Sequence, residues 1–530
     1  MSILIKLFPL ILLPIIMLIF LLSAALSESR VYDEITHVNA GYEFVVHHDF
    51  RFDPFNPPFA RELIALPAIL NKNAVFSDLT LFWPRFVVIT FTLGLGFLVY
   101  LFSKKLYGKS GALLALFLFI LEPNILANGH YAQSDIIFTF FYILTIYTYY
   151  EWQNSFTPRK IIVFGILIGL LLSTKTTALL FLFFPLTILL IKKYHFKNLL
   201  NITSIKHKLL FALLFFVSCS LSLWGTYFFK FEPLPGNRFD ANRPAIKIAQ
   251  YDNLVKFALN QPFPLGSYIS SIKQQFVYNY SGLYRRDSMI MGNISHNGHS
   301  GYYFIPLIFI KTPFPLLILF FTTLFIFRKR VVSDSILLIP IISIIILVIA
   351  TNATIVYRYI LPVIPLIIIY SSQTVLLKTK HNYFKVIALS VVIAWYMIES
   401  ISSFPHFISY INLTLGGYKK GYSYVFDSNY DWGQGLIKLK QYQDNNPKQK
   451  LQLAYFGDTS PSAYGISYER LRNYHSSTDG KPHHELKISK NTTVAISGTC
   501  WYLCGYYDNP KLKNKRPTEI IGGSILIFKF

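Results

Sequence analysis

Long apolar runs separated by short polar connections make up most of the chain. Each run approaches the ~20 apolar residues that a helix needs to cross a bilayer. The pattern therefore predicts a multi-pass α-helical membrane protein with about eleven transmembrane helices. The runs are 4–26, 81–102, 110–128, 134–152, 160–174, 177–192, 208–229, 303–327, 333–350, 356–377 and 384–402.

Lysine and arginine clusters lie on one alternate set of connections, for example at Lys104–Lys105 and Arg328–Lys329–Arg330. Because cytoplasmic loops collect basic residues, this pattern predicts an N-terminus inside and a C-terminus outside. Most remaining titratable residues then face outward, and we expect the function there. The outward connections are 27–80, 130–135, 173–177, 230–302, 351–357 and the chain after Phe404.

Composition supports a membrane protein. The chain is 53% hydrophobic and 14% charged, whereas soluble proteins average about 25% charged residues. The net charge of +23 would indicate nucleic-acid binding in a soluble protein, but the cytoplasmic loops account for it here. Three cysteines are too few for a disulfide framework or a cysteine-based zinc site.

The chain from 405 to 530 is polar and rich in turns, and we expect it to form a small α/β domain outside the membrane, after a transmembrane domain spanning 1–404. LIKLKQY (436–442) has helical spacing, and LQLAYFG, TTVAISG and SILIFKF are typical of strands. Cys500 and Cys504 lie where a disulfide is permitted. Their spacing alone does not establish one.

The stretch after the first apolar run, Arg30 to Pro67, has the densest set of acids and histidines. Asp33 and Glu34 are adjacent, and His37 lies one helical turn beyond them. A carboxylate can act as a general base if its surroundings raise its pKa. The alternative is a pair of acids that solvate the end of a helix.

A second outward turn, LEPNILANGHYAQSDI, contains Glu122, His130 and Asp135. Asp135 is either a second acid of the site or the N-cap of the next helix. We interpret His130, taken alone, as a hydrogen-bonded histidine at a helix end rather than as a ligand. Together with the acids, the histidines could bind a divalent metal, but no spacing is diagnostic, so we assign no metal ligands.

Three cations interrupt apolar surroundings: Lys175, Lys311 and Arg358. Ionisable residues within spans are costly and usually functional, so these three are candidates for holding a donor phosphate. The alternative is that they snorkel to the outer interface. In the long outward loop, Arg285 is a candidate for contacting an acceptor, although surface solvation explains it nearly as well.

The motifs DEITHVNAGYEF, DFRFDPFNPPFARELIALP, PNILANGHYAQSD, STKTTALL, GHSGYYFIPLIFIKTPFP and DSNYDWGQGLIKLKQY resemble polyprenol-phosphate-dependent glycosyltransferases of the GT-C fold. This superfamily includes protein O-mannosyltransferase-like enzymes and aminoarabinose transferases that act on lipid A. Members usually have His-Pro-Pro where this chain has Asn56-Pro57-Pro58, which weakens a metal or phosphate role for that position.

The resemblance implies that Asp33 is the catalytic base or orients the acceptor, and that Glu34 and Asp135 support it. His37 and His130 are supporting candidates. It also implies a sugar donor on polyprenyl phosphate, an acceptor that is a protein, lipid A or a glycan, and a bacterial cytoplasmic membrane with the active site facing outside.

Two other functions remain open from the sequence. A transporter or flippase of lipid-linked sugars would use the same outer cations without a base. A membrane-anchored binding protein would use the outer domain alone.

Overall fold

The chain is mainly helical. The computed structural model describes residues 2–153, 155–191, 205–233, 261–280, 287–295, 303–331, 334–350, 356–378, 382–473 and 491–530. In the helical part the α-helices are α1 (Ser2–Ser27), α2 (Glu34–Val46), α3 (Phe59–Leu70), α4 (Lys72–Ser77), α5 (Phe82–Ile120), α6 (Pro123–Asn128), α7 (Ser134–Trp152), α8 (Pro158–Leu172), α9 (Ala178–Ile191), α10 (Ile205–Gly225), α11 (Gly266–Tyr280), α12 (Phe304–Lys311), α13 (Phe314–Ile326), α14 (Ser335–Ala350), α15 (Val363–Ser371) and α16 (Asn382–Ile401).

The long element α5 consists of two helical segments that meet at Gly108. This residue has φ 75° and ψ −173°, a conformation that costs glycine little because it has no Cβ. The break coincides with the lysine-rich connection between the predicted runs 81–102 and 110–128. The second run was predicted too long: helix α5 ends at Ile120, and α6 begins at Pro123 with Glu122 as its N-cap.

The predicted run 303–327 is not one straight helix. Helices α12 and α13 meet at an angle of 113°, and Pro313 lies in the break, where it has no N–H to continue a helix. Among the described residues, four helices are long and apolar enough to span a membrane, or five if this bent pair counts as one span. The total of about eleven spans stays a prediction.

Two short helices occupy the first outward connection. Helix α3 follows Pro57 and Pro58 and packs against α2. They cross at Gly41, where a Cβ would lie 2.0 Å from the backbone oxygen of Arg61. Only glycine allows this close approach, which brings His37 of α2 near Arg61.

The C-terminal part contains a five-stranded sheet in the order β6-β5-β7-β9-β8. Strand β7 is parallel to β5 and antiparallel to β9. The strands predicted at 451–457, 492–498 and 524–530 are confirmed, and so is the helix predicted at 436–442. The elements are α17 (Tyr418–Gly421), α18 (Leu436–Asn445), α19 (Gly498–Leu503), β5 (Lys450–Ala454), β6 (Glu469–Arg470), β7 (Thr492–Ser497), β8 (Glu519–Ile521) and β9 (Ile525–Lys529), and the earlier short strands are β1 (Phe231–Glu232), β2 (Phe263–Pro264), β3 (Ser288–Ile290) and β4 (Asn293–Ser295).

The segment between α16 and the sheet packs onto the helices. Phe407, Ile411 and Trp432 are buried in the same apolar cluster as the residues of α1, α5 and α7. Cys500 and Cys504 form a disulfide within the sheet-containing part. The domain boundary at 404/405 stays a prediction, but the two parts are in extensive contact.

Candidate functional site

Asp33 lies at the N-cap of α2 in an uncommon backbone conformation. Its φ is 76° and its ψ is −23°, and its carboxylate makes no capping hydrogen bond. A non-glycine residue in this left-handed region costs roughly 1–3 kcal/mol, and the surrounding structure has to hold it there. Its side chain is 39% exposed. The loop therefore presents a carboxylate that the helix does not use.

Glu34, the next residue, is held inside the protein. Its two carboxylate oxygens accept from Arg85 Nε at 2.9 Å and Nη2 at 2.7 Å, and both side chains are 0% exposed. The same oxygens accept from the backbone N–H groups of Val31 at 2.9 Å and Ala132 at 2.8 Å. Glu34 therefore ties the first outward loop to the second.

Arg85 uses every hydrogen of its guanidinium group. Besides Glu34, it donates to the carbonyl oxygens of Ala25 at 2.8 Å, Glu28 at 2.9 Å and Ser29 at 2.9 Å. A guanidinium group has five N–H donors, and five hydrogen bonds are present. Arg85 fixes the path of the chain from α1 to Asp33, with no hydrogen left for a substrate.

Glu28 forms a second buried network next to this loop. It accepts from His130 Nε2 at 2.9 Å, from the Tyr131 hydroxyl at 2.5 Å and from His406 Nδ1 at 3.0 Å. Burial opposes the charged carboxylate, but the hydrogen bonds from the two histidines outweigh it and lower the pKa of Glu28 to about 2. His130 therefore lies in a structural network rather than beside Asp33.

Asp33 faces a chain of alternating charges. Arg358 Nη2 lies 3.4 Å from Asp33 Oδ2, and Nη1 lies 4.0 Å from Asp135 Oδ2. Lys175 Nζ donates to Asp135 Oδ1 at 2.6 Å. We call these four residues the charge cluster. It unites four distant segments of the sequence at one point.

The two cations of the charge cluster are enclosed by protein. Lys175 is 12% exposed and Arg358 is 16% exposed, so neither snorkels. Arg358 Nη1 also donates to Gln133 Oε1 at 2.5 Å. Its buried Nε has no hydrogen-bond partner within the described residues. Because buried donors are normally satisfied, this N–H is available to a bound anion.

Asp135 is the second residue of α7, whose N-cap is Gln133, so the alternative that Asp135 caps this helix is wrong. Its carboxylate faces both cations instead.

His37 lies within one helical turn of Asp33, as predicted. Its N–H donates to the Asp33 carbonyl at 3.0 Å. Its Nδ1 accepts from Arg61 Nε at 3.1 Å, and Arg61 in turn pairs with Asp53 at 2.7 Å. Burial, followed by the charges of Arg61, Arg358 and Lys175, holds the pKa of His37 well below its usual value. The ring is therefore neutral, with its hydrogen on Nε2.

Lys311 has a different environment from the other two candidate cations. It is 3% exposed, and Nζ donates to the carbonyls of Ile408 at 2.9 Å, Tyr410 at 2.7 Å and Asn429 at 2.8 Å. An ammonium group has three hydrogens, and all are used. Lys311 holds the C-terminal segment against the helices. Arg285 lies outside the described residues.

Two acids from the C-terminal part lie near Asp33. Burial is the main cause that raises the pKa values of Asp427 and Asp458, and the negative charge of Asp33 raises them further. Tyr32 stacks on Phe456 with ring centroids 5.7 Å apart. Burial and the charges of Asp33, Asp458 and Asp427 raise the pKa of Tyr32. The C-terminal part therefore adds negative charge around the base candidate.

Within the described residues, no group of three or more His, Cys, Asp or Glu side chains is arranged to hold a metal ion. The two histidines considered for a metal site lie apart: His37 faces Arg61, and His130 faces Glu28. The divalent metal stays an untested expectation.

Sequence reasoning missed Arg85, Glu28, Arg61 and Trp432. Arg85 carried a usable signal, because it is an ionisable residue in the first turn of the apolar run FWPRFVV, where such residues are costly. Arg61 and Trp432 lie inside motifs that carry the family resemblance, but the resemblance gave neither residue a role, and Glu28 carried no signal. Their importance depends on contacts between segments that are far apart in sequence.

Residues 10–231 match the family model described as dolichyl-phosphate-mannose-protein mannosyltransferase. A search of curated proteins found no match.

Two solved structures of ArnT from Cupriavidus metallidurans share the fold. The apo structure is 12% identical, covers 98% of this chain and 97% of its own, and gives a TM-score of 0.50. The structure bound to undecaprenyl phosphate is 11% identical, with the same coverage and a TM-score of 0.51. At this identity the likeness shows a common fold. The family match over residues 10–231 and this shared fold agree with the predicted resemblance to GT-C glycosyltransferases.

Proposed function

We propose that the protein transfers a sugar from a polyprenyl-phosphate donor to a hydroxyl or amine acceptor at the outer face of the membrane, with Asp33 as the base. One observation carries the proposal. A partly exposed carboxylate, released from helix capping, faces a guanidinium group that has an unpartnered N–H. Base and anion site are therefore adjacent.

The donor phosphate occupies the cationic side of the charge cluster. Lys175 and Arg358 stabilise the negative charge that develops on the leaving phosphate, which is worth most in a site shielded from water. Arg358 suits the phosphate best because its planar fork binds two oxygens at once. The family description names a dolichyl-phosphate sugar, and one ArnT structure contains undecaprenyl phosphate; both support a lipid-phosphate donor here.

The reaction is a single displacement at the anomeric carbon. The acceptor oxygen or nitrogen forms the new bond to this carbon while the bond to the phosphate oxygen breaks. The polyprenyl phosphate leaves with the bonding electrons, and Asp33 takes the acceptor proton. One in-line displacement inverts the anomeric centre. Asp135 holds the two cations in place before the donor arrives.

The other candidates have supporting roles in this proposal. Glu34 and His130 fix the loop and take no proton. The neutral His37 lies near both cations of the cluster and adds a donor without adding charge. We assign Lys311 to the C-terminal segment rather than to the phosphate, since its hydrogens are used. The setting is the bacterial inner membrane, with the site facing outward and a protein, lipid A or a surface glycan as acceptor.

Reconstitution tests the proposal. The purified protein is supplied with undecaprenyl-phosphate sugars and a panel of acceptors, and release of undecaprenyl phosphate is measured together with the glycosylated product. We expect turnover in detergent as well as in liposomes, which a transporter would not give. Mass spectrometry of envelope glycans, lipid A and glycoproteins from a deletion strain identifies the acceptor. The absence of phosphate release from every donor would overturn the proposal.

A further inference from the structure

The Asp431–Gln434 segment, which has the sequence DWGQ, binds the backbone of the loop that carries Asp33. The N–H of Tyr32 donates to the carbonyl of Trp432 at 3.0 Å, and the N–H of Ser29 donates to that of Gln434 at 3.1 Å. The Ser29 hydroxyl donates to the Gly433 carbonyl at 2.8 Å. The segment thus runs alongside the loop just before Asp33.

The segment is equally well fixed to the start of α19, the helix that follows β7. The Asp431 carboxylate accepts from the backbone N–H of Thr499 at 2.9 Å, and the Thr499 hydroxyl donates to the Asp431 carbonyl at 2.8 Å. The Gln434 side chain accepts from the N–H of Trp432 at 2.8 Å. Trp432 is therefore held from both sides.

The ring of Trp432 covers the guanidinium group of Arg358. The Cζ atom of Arg358 lies 4.2 Å from the ring centroid, and Trp432 is 2% exposed. An arginine over a tryptophan face is attracted by the quadrupole of the ring. Its N–H groups remain in the guanidinium plane, where they can meet oxygen atoms.

The acids of the charge cluster hold Arg358 less firmly. Their contacts of 3.4 Å to Asp33 and 4.0 Å to Asp135 exceed the ~2.7–2.9 Å of a strong charged hydrogen bond. Gln133 fixes one nitrogen, and the ring of Trp432 fixes the plane. This arrangement leaves Arg358 oriented but not saturated, as a phosphate-binding group needs to be.

We propose that Trp432 is a positioning residue that orients Arg358 toward the phosphate of the lipid donor, so that the C-terminal part completes the active site. This inference rests on the proposed function for its ligand, a lipid phosphate monoester or diester. It gives the DWGQ segment a role that the spacing of its residues along the chain does not reveal.

The test compares Trp432→Leu, which stays apolar but removes the ring, with Trp432→Phe, which keeps an aromatic face. We expect Trp432→Leu to weaken undecaprenyl phosphate binding and to raise KM for the donor by roughly tenfold, in line with a desolvated cation–π contact. Trp432→Phe stays within about threefold of the wild type.

Trp501→Leu is the matched control, because Trp501 is also buried in the C-terminal part but stacks on Phe528. We expect it to change thermal stability without changing donor affinity. In an Arg358→Gln background, Trp432→Leu should cause no further loss, since the residue acts through Arg358. If Trp432→Leu does not fold, Trp432→Met, which also removes the ring, replaces it in the same comparison.

The outcomes separate the two proposals. If Trp432→Leu behaves like Trp501→Leu, or if its effect is undiminished without Arg358, the positioning role is wrong while the transferase remains. If the wild type binds undecaprenyl phosphate through Trp432 and Arg358 but releases none from any sugar donor, the proposed function is wrong and the positioning role stands.

Discussion

Asp33 and Glu34 are adjacent carboxylates with opposite environments. Asp33 is 39% exposed, has no capping bond and faces Arg358 at 3.4 Å. Glu34 is 0% exposed and accepts four hydrogen bonds from Arg85, Val31 and Ala132. The turn between them sends one side chain into the site and the other into the protein. Asp33 can therefore exchange its contact with Arg358 for another partner, whereas Glu34 is fixed by its four hydrogen bonds.

Lys175 and Lys311 repeat this contrast among the cations. Lys175 pairs with a side chain, Asp135, inside the charge cluster. Lys311 donates to three backbone carbonyls, whose positions are fixed by the fold. A lysine in an apolar segment therefore indicates a functional or a structural role. Only the groups that it contacts show which of the two roles it has.

The sharpest test of this contrast is Asp33→Asn. We expect kcat to fall by roughly 10²–10⁴, the usual contribution of a general base. Stability should change by less than about 0.5 kcal/mol, because asparagine tolerates the left-handed backbone and the side chain is partly exposed. Transfer assays and thermal unfolding measure the two effects.

Asp49→Asn is the control for this prediction, since Asp49 lies in the same loop but pairs with Arg51 at the surface. It should retain normal turnover. Normal turnover in Asp33→Asn would remove Asp33 from the mechanism.

Glu34→Gln should behave in the opposite way. It leaves the buried charge of Arg85 without its partner, which costs about 3–5 kcal/mol. We expect a large drop in the free energy of unfolding, measured by denaturant titration in detergent. A variant that is as stable as the wild type but inactive would instead assign Glu34 to the chemistry.

Glu28 predicts a pH dependence of stability. Its pKa is about 2 in the folded protein, below its usual value of 4.5. A lowered carboxylate pKa contributes stability above the unfolded pKa, and this contribution is lost as the pH falls from about 4.5 to about 2. The complete loss is about 3 kcal/mol.

Thermal unfolding between pH 2 and 7 measures this loss of stability. In Glu28→Gln we expect stability to fall less steeply between pH 4.5 and 2. Glu43→Gln, on the more exposed side of α2, should leave the profile unchanged. Parallel profiles for the wild type and Glu28→Gln would contradict the role of the network.

Matched substitutions of the two lysines should give the smallest effects. Lys175→Met is expected to raise KM for the lipid donor by about tenfold, because one phosphate contact is lost. Lys311→Met should leave KM unchanged and lower stability by about 1–3 kcal/mol, because buried carbonyls lose their donor. An increase in KM for Lys311→Met would return this residue to the phosphate site.

The sequence predicted those features of the site that follow from the membrane topology. Charge asymmetry placed Asp33, Asp135, Lys175 and Arg358 on one predicted side, and the structure brings these four together. It could not predict that Glu34 turns inward, because that depends on Arg85, which is 51 residues away.

The same limit applies to the fold. Periodicity predicted the strands at 451–457 and 492–498, and the lysines near Gly108 marked the break in α5. Periodicity failed at the bend at Pro313, because the run 303–327 is long enough for one span and its hydrophobicity does not show a change of direction. Hydrophobicity records burial in lipid or protein but not the path of the helix.

The pairing of Ser29 and Tyr32 with Gln434 and Trp432 has a consequence for biosynthesis. The loop that carries Asp33 emerges early from the ribosome, whereas its backbone partners are made about 400 residues later. Closing so long a loop is entropically costly and slow. On the proposed mechanism, the base stands beside an incomplete phosphate site during translation, and we expect activity only after the DWGQ segment has docked against this loop.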